Sequence, residues 1–189
     1  MQSNGKRRPR IFCGSSHPEL AQEIASYLGL ECSPSRIVRF SNDNLFVQLG
    51  ASVRGRAVFL VQSLVPPVSD HLMELLMMID IAKGAGAREI HAIIPYFSYA
   101  RSDKKDAPRI SITARLVADL MHKAGAKRVV TRALHSPQVH GMFEMPVDHL
   151  SPNHVLARHF RQRDLSNAVV VSPDFGNVKE ANHFARLLD

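Results

Sequence analysis

The chain has 189 residues, 45% hydrophobic and 22% charged, which fits one large or two small globular domains and buries a core without disulfides or a structural metal. No apolar run approaches the ~18 residues of a membrane-spanning helix, so no membrane partner is expected. The net charge of +7 invites a nucleic-acid reading, but Lys6, Arg7, Arg8 and Arg10 supply four of those charges in one short arm and tryptophan is absent; nucleic-acid binding is set aside.

In chain order, residues 1–10 read as a disordered basic leader, with no secretory apolar stretch behind them. Arg10 to Cys13 reads as a strand broken by Gly14-Ser15-Ser16. Pro18 to Leu28 has helical spacing through Leu20, Ile24 and Leu28, with Ser16 or His17 at its start and Gly29 as its stop. Cys13 and Cys32 lack metal-ligand spacing, and a reduced cytoplasmic compartment is expected. Ile37 to Phe40 and Leu45 to Leu49 read as short strands around the turn Ser41-Asn42-Asp43-Asn44. Ala57 to Val61 is a wholly apolar strand, and Ser69 to Ala82 a long amphipathic helix beginning at Ser69 or Asp70. Ile90 to Ile94, Arg128 to Thr131 and Ala168 to Val171 read as further buried strands, with a helix from Ser111 to Lys123. Apolar strands alternating with helices predict an α/β fold, a parallel sheet covered on both faces, with a short β-hairpin extension. Ser151-Pro152-Asn153 is a linker candidate.

The stretch from Ile93 to Asp106 carries the most chemistry. A buried strand ends at Pro95, opens into Tyr96 and Phe97, and runs into Arg101-Ser102-Asp103-Lys104-Lys105-Asp106. Delivering charge from a strand exit is how open α/β sheets build phosphate sites.

Together with Phe40-Ser41-Asn42, Ser52-Val53-Arg54-Gly55, Val61-Gln62-Ser63, Asp70 to Leu76, Leu134-His135-Ser136, Pro146 to Leu150 and Val171-Ser172-Pro173-Asp174, this stretch resembles the ribose-phosphate pyrophosphokinases (phosphoribosyl pyrophosphate synthetases). The motifs run in family order from about Ile11 to the last residue. The resemblance implies a phosphoribosyltransferase-like fold, with an N-terminal domain over 11–150 and the start of a second, incomplete domain over 151–189. It also implies transfer of pyrophosphoryl from Mg-ATP to ribose 5-phosphate, giving phosphoribosyl pyrophosphate and AMP for nucleotide biosynthesis.

Residue by residue, the resemblance makes Arg101 an ATP-contacting arginine and His135 a metal and ATP-phosphate histidine. Phe40 and Asn42 match a hairpin that reaches the adenine of a neighbouring subunit. Asp103 follows Arg101; phosphate contact and ordinary surface ion pairing are both open for the Asp103–Asp106 cluster. Asp174 and Gly176 match the ribose-phosphate side, although a carboxylate and a glycine after a strand also make a common turn. Mg²⁺ is the implied cofactor and ATP a substrate. The implied assembly is a homo-oligomer, dimer to hexamer, or a hetero-oligomer with a full-length synthetase.

Departures from the family pattern fall near the chemistry. Ala133 stands where a magnesium-side aspartate is expected, and alanine cannot ligate a hard cation. Ser102 replaces a glutamine, Asn44 a glutamate, Asn177 a glycine and Glu180 a basic residue. The family's flexible catalytic loop and its ribose-phosphate loop would follow Leu188, so this chain alone is not expected to complete the reaction. The alternative reading is a non-catalytic regulatory or associated subunit of a synthetase.

Overall fold

The structure, a computed structural model, describes residues 8–132 and 134–188. Most of the expected leader and the alanine at 133 therefore lie outside the described residues. The chain divides into two compact units, one ending at Leu150 and the other beginning at Ser151.

Six parallel strands form the first unit's sheet: β1 (Arg10–Cys13), β2 (Cys32–Ser33), β5 (Ala57–Val61), β6 (Glu89–Tyr96), β7 (Arg128–Arg132) and β8 (Val147–Leu150), in the order β2-β1-β5-β6-β7-β8. Antiparallel strands β3 (Ser35–Arg39) and β4 (Leu45–Leu49) make the separate hairpin, and a single turn, α4 (Pro137–His140), lies between β7 and β8 in the chain. The apolar strand runs follow from burial on two faces, and the two-residue period of a strand decides which side chain goes where. Phe12, Leu60, Ala92, Ile94 and Val129 join one hydrophobic cluster with Leu75, Met78 and Ile79 of α2 (Val68–Gly84) and Val117 and Met121 of α3 (Thr113–Ala124). Ile11 and Val61, with Phe59 and Ile93, point the other way and pack with Ala21 and Ala25 of α1 (Pro18–Tyr27). This is the α/β sheet covered on both faces that the residue pattern predicts.

Helix boundaries follow local chemistry. His17 caps α1, its Nδ1 accepting from the Leu20 amide at 3.3 Å, and Pro18 opens the helix where an amide proton is dispensable. Gly29 ends it at φ 64°, a left-handed backbone that glycine takes without cost. α2 starts earlier than the sequence suggests: Pro67 is its N-cap, and neither Ser69 nor Asp70 caps it by a side-chain bond. β6 runs two residues past its expected end because the sheet tolerates Pro95 through a shift of register between Ile94 and Tyr96.

The second unit differs from expectation. Ala168 to Val171 forms no strand, and Val169 and Val171 are 83% and 79% exposed. A strand owes its stability to cross-strand pairing, and among the described residues no strand pairs with this run. The unit instead holds helices α5 (Asn153–Phe160) and α6 (Val178–Arg186), joined through a 3₁₀ turn at Phe175–Asn177. Phe160 meets Phe184 edge-to-face, 6.2 Å between ring centres. Among the described residues no helix is long and apolar enough to cross a membrane.

Candidate functional site

Because β6 and β7 are parallel neighbours, the chain leaves both strands at the same end of the sheet. The loop after β6 runs along a cleft of about 390 Å³ formed by Tyr96 through Arg101, and His135, three residues beyond β7, closes its other side. The arrangement places a guanidinium and an imidazole on one cavity. Arg101 is exposed, and no hydrogen bond or ion pair engages its side chain among the described residues. A guanidinium in that condition can grip a phosphate at two points or lie on a base.

The loop is held from below and from the side. Phe97 is buried and packs edge-on to Phe143 at 5.3 Å, anchoring the loop's start. Ser102 ties it to the N-terminus of α3: its Oγ donates to the Ser111 carbonyl (3.0 Å) and accepts from the Thr113 amide (3.1 Å). Between these anchors Tyr99 adopts φ 63°, a left-handed backbone costing a tyrosine about 1–2 kcal/mol. Its carbonyl accepts from the Ser102 amide at 2.9 Å, which holds that turn shut.

A clasp joins the two exit loops. Ser136 Oγ donates to Asp103 Oδ2 at 2.6 Å. That hydrogen bond holds the Asp103 carboxyl below the usual carboxylate range, helped by its own backbone amide and by His135 and Lys104. Behind His135, the Leu134 amide donates to His149 Nε2 at 3.1 Å, and Arg128 of β7 pairs with both oxygens of Asp148 on β8 at 2.9 and 2.8 Å. The backbone just before His135 is thus tied to β8.

Of the residues singled out by sequence, Arg101 and His135 line this cleft, and Asp103 bridges its two loops. Phe40 and Asn42 do not line it. They sit at the hairpin tip, where Phe40 is 52% exposed and contacts Phe46 at 5.9 Å, and Asn42 Oδ1 accepts from the Asn44 amide at 3.3 Å. The hairpin is pinned to α2 by Arg39, which bonds Asp43 at 2.6 Å and Asp70 at 2.5 Å. Asp174 and Gly176 belong to the second unit; Asp174 caps the 3₁₀ turn, Oδ1 accepting from the Asn177 amide at 2.9 Å. Ser102 and Ser136 escaped the sequence reading as structural groups, and only their adjacency to Arg101 and His135 marks them.

Among the described residues no group of three or more His, Cys, Asp or Glu converges as a metal cage. A Mg²⁺ carried by phosphate oxygens needs only one or two protein carboxylates, and Asp103, hydrogen-bonded to Ser136, is the carboxylate that joins the two loops.

A family model described as the N-terminal domain of ribose phosphate pyrophosphokinase matches residues 9–125. The chain belongs to the ribose-phosphate pyrophosphokinase family. A Streptomyces coelicolor relative is 62% identical over 178 residues, covering 94% of this chain and 56% of that protein. The ribose-phosphate pyrophosphokinase of Deinococcus radiodurans is 54% identical, covering 98% of this chain and 59% of that protein. The crystal structure of phosphoribosylpyrophosphate synthetase from Mycobacterium smegmatis aligns with TM-score 0.92 at 41% identity, over 96% of this chain and 61% of that one. This chain therefore spans a little over half the length of the curated ribose-phosphate pyrophosphokinases it matches.

Two departures from the ribose-phosphate pyrophosphokinase pattern are taken up by structure. Ser102 is consumed in anchoring its loop to α3. Glu180 accepts from Asn153 Nδ2 at 2.5 Å, fastening α6 to α5, so its charge is engaged within the second unit.

Proposed function

We propose that the cleft between the β6 and β7 exits takes the polyphosphate of Mg-ATP, and that the chain supplies the nucleotide side of pyrophosphoryl transfer to ribose 5-phosphate. The observation that carries this reading is the presence of Arg101 and His135 on one cavity. In the reaction, the anomeric hydroxyl oxygen bonds to the β-phosphorus and gives up its proton, while the bond from the β-phosphorus to the α–β bridging oxygen breaks and that oxygen leaves with AMP. Little covalent work falls to the protein; positioning and neutralisation of spread oxygen charge do most of it. Bound Mg²⁺ supplies part of that neutralisation. Arg101 contributes a fixed positive charge with two donors, His135 a nitrogen toward the metal-phosphate group, and the Asp103–Ser136 clasp keeps the two loops in register. Phe40 and Asn42, exposed at the hairpin tip, suit contact with the adenine bound by another copy of the chain. Asp174 and Gly176 belong to the ribose-phosphate side in this reading, within a domain beginning at Ser151.

A second reading, an associated subunit without catalysis of its own, draws on Ser102 and Glu180, both occupied in internal bonds. Titration with Mg-ATP tests the first reading. Arg101→Ala and His135→Ala are each expected to weaken binding about tenfold or more, the loss of a charged hydrogen bond. Unchanged affinity in both variants rules the cleft out as the nucleotide site. Assay of AMP release from Mg-ATP and ribose 5-phosphate separates the two readings: turnover supports the first, and binding without turnover favours the associated subunit.

A further inference from the structure

A carboxyl group lies buried and, among the described residues, forms no ion pair. Glu74, on α2, is 2% exposed, and its neighbour Gln62, just past β5, is 0% exposed. Glu74 Oε1 accepts from the Ser15 amide (2.6 Å) and from Gln62 Nε2 (2.8 Å), and Oε2 accepts from Ser15 Oγ (2.7 Å). A buried glutamate costs stability unless its oxygens are satisfied, and here every partner belongs to a strand exit. The bonds continue outward. Gln62 Oε1 accepts from Ser16 Oγ at 2.7 Å, Ser16 Oγ accepts from the Ser63 amide at 2.8 Å, and Ser63 Oγ accepts from the Tyr96 amide at 3.2 Å.

Three successive exits are therefore tied by one chain of hydrogen bonds: Ser15 and Ser16 after β1, Gln62 and Ser63 after β5, and Tyr96 at the end of β6. Gly14 permits the close approach, because a Cβ there would stand 2.3 Å from Gln62 Oε1 and 2.5 Å from Glu74 Oε1. Tyr96 is the first residue of the cleft that holds Arg101. Its amide follows the proline at which the β6–β7 register shifts, and the Ser63 hydroxyl gives that amide an acceptor.

We propose that Glu74 is a positioning residue: through Gln62, Ser16 and Ser63 it fixes the point at which β6 leaves the sheet, and so presets the Tyr96–Arg101 loop for polyphosphate. This rests on the nucleotide reading of the cleft. Three variants of the full chain test it. Ser63→Ala deletes only the acceptor of the Tyr96 amide, Glu74→Leu removes the carboxyl, and Glu74→Gln keeps an oxygen for Ser15 and Gln62. Exchange of the Tyr96 amide, read by NMR, and Mg-ATP affinity by calorimetry are measured on each, with β7 amides as an internal control. Ser63→Ala and Glu74→Leu are expected to speed Tyr96 exchange and weaken Mg-ATP binding about fivefold each, the worth of one hydrogen bond. Glu74→Gln is expected to stay within about twofold of the parent chain, because its amide oxygen still accepts. Unchanged Tyr96 exchange in folded Ser63→Ala overturns the proposal even if Glu74→Leu fails to fold. Faster exchange with unaltered affinity overturns it too, leaving the network as packing alone. A parent chain that binds no Mg-ATP overturns the nucleotide reading instead, and that result is visible before any variant is made.

Discussion

Cys13 ends β1 with its Sγ donating to the Gly14 carbonyl at 2.8 Å. Burial first, then the nearness of Cys32 and Glu74, pushes its thiol up to about 11. The thiolate is the reactive form, so iodoacetamide at pH 7.5 is expected to modify Cys13 slowly, the rate climbing only as pH nears that value; rapid labelling at neutral pH would contradict it. Asp103 moves the other way. Its carboxyl is held low by Ser136, so the clasp's contribution is fully present above the ordinary carboxylate value and is lost as pH falls through the depressed one. Ser136→Ala is expected to return the Asp103 titration toward the ordinary value, read by NMR, and an unmoved titration would break the assignment of cause. Arg101 and His135 were legible because the motifs that carry them resemble those of ribose-phosphate pyrophosphokinases, and the structure sets both on one cleft. The clasp was not legible, since its two residues stand 33 positions apart and no local pattern pairs them.

Among the elements, α2 and the hairpin share one hydrophobic cluster but bear different loads. Leu75 and Met78 are fully buried beneath the sheet, and Leu75→Ala or Met78→Ala is expected to cost about 2–5 kcal/mol. At the hairpin, Val47 points inward and is buried while Phe40 points out. Phe40→Ala is therefore expected to change stability by no more than about 0.5 kcal/mol. Urea unfolding of the three variants checks both figures; a Phe40 effect equal to that of Leu75 would mean the tip is packed. Ala57–Val61 was readable to the residue because a five-residue apolar run between polar turns has one common solution in an α/β chain. The run from Ala168 to Val171 has the same local composition and forms no strand, for pairing is a property of neighbours and leaves no mark on the segment itself. Helix α5 escaped as well: the Ser151-Pro152 pair before it, with Ser151 Oγ accepting from the Asn153 amide at 3.3 Å, reads equally as a linker turn.

At the level of the whole molecule, both hydrophobic clusters are made, among the described residues, only of those between Ile11 and Val147. A fragment of residues 8–150 is accordingly expected to keep its near-UV circular dichroism and to melt in one cooperative transition; a non-cooperative melt would show that the first unit borrows stability from outside itself. The alternation of strand and helix made the sheet's class legible, while its strand order was not, because order depends on which way each crossover turns. That order has a consequence. From β1 the chain steps outward to β2 and later returns on β1's other flank as β5, and open α/β sheets commonly admit small molecules at such a reversal. Here the gap is stoppered from within: Glu74 and Gln62 occupy it, and Gly14 leaves no space even for a methyl group. A guest carrying its own carboxylate or phosphate finds that berth taken by the protein's side chains, whereas the cleft beside Arg101 stands open.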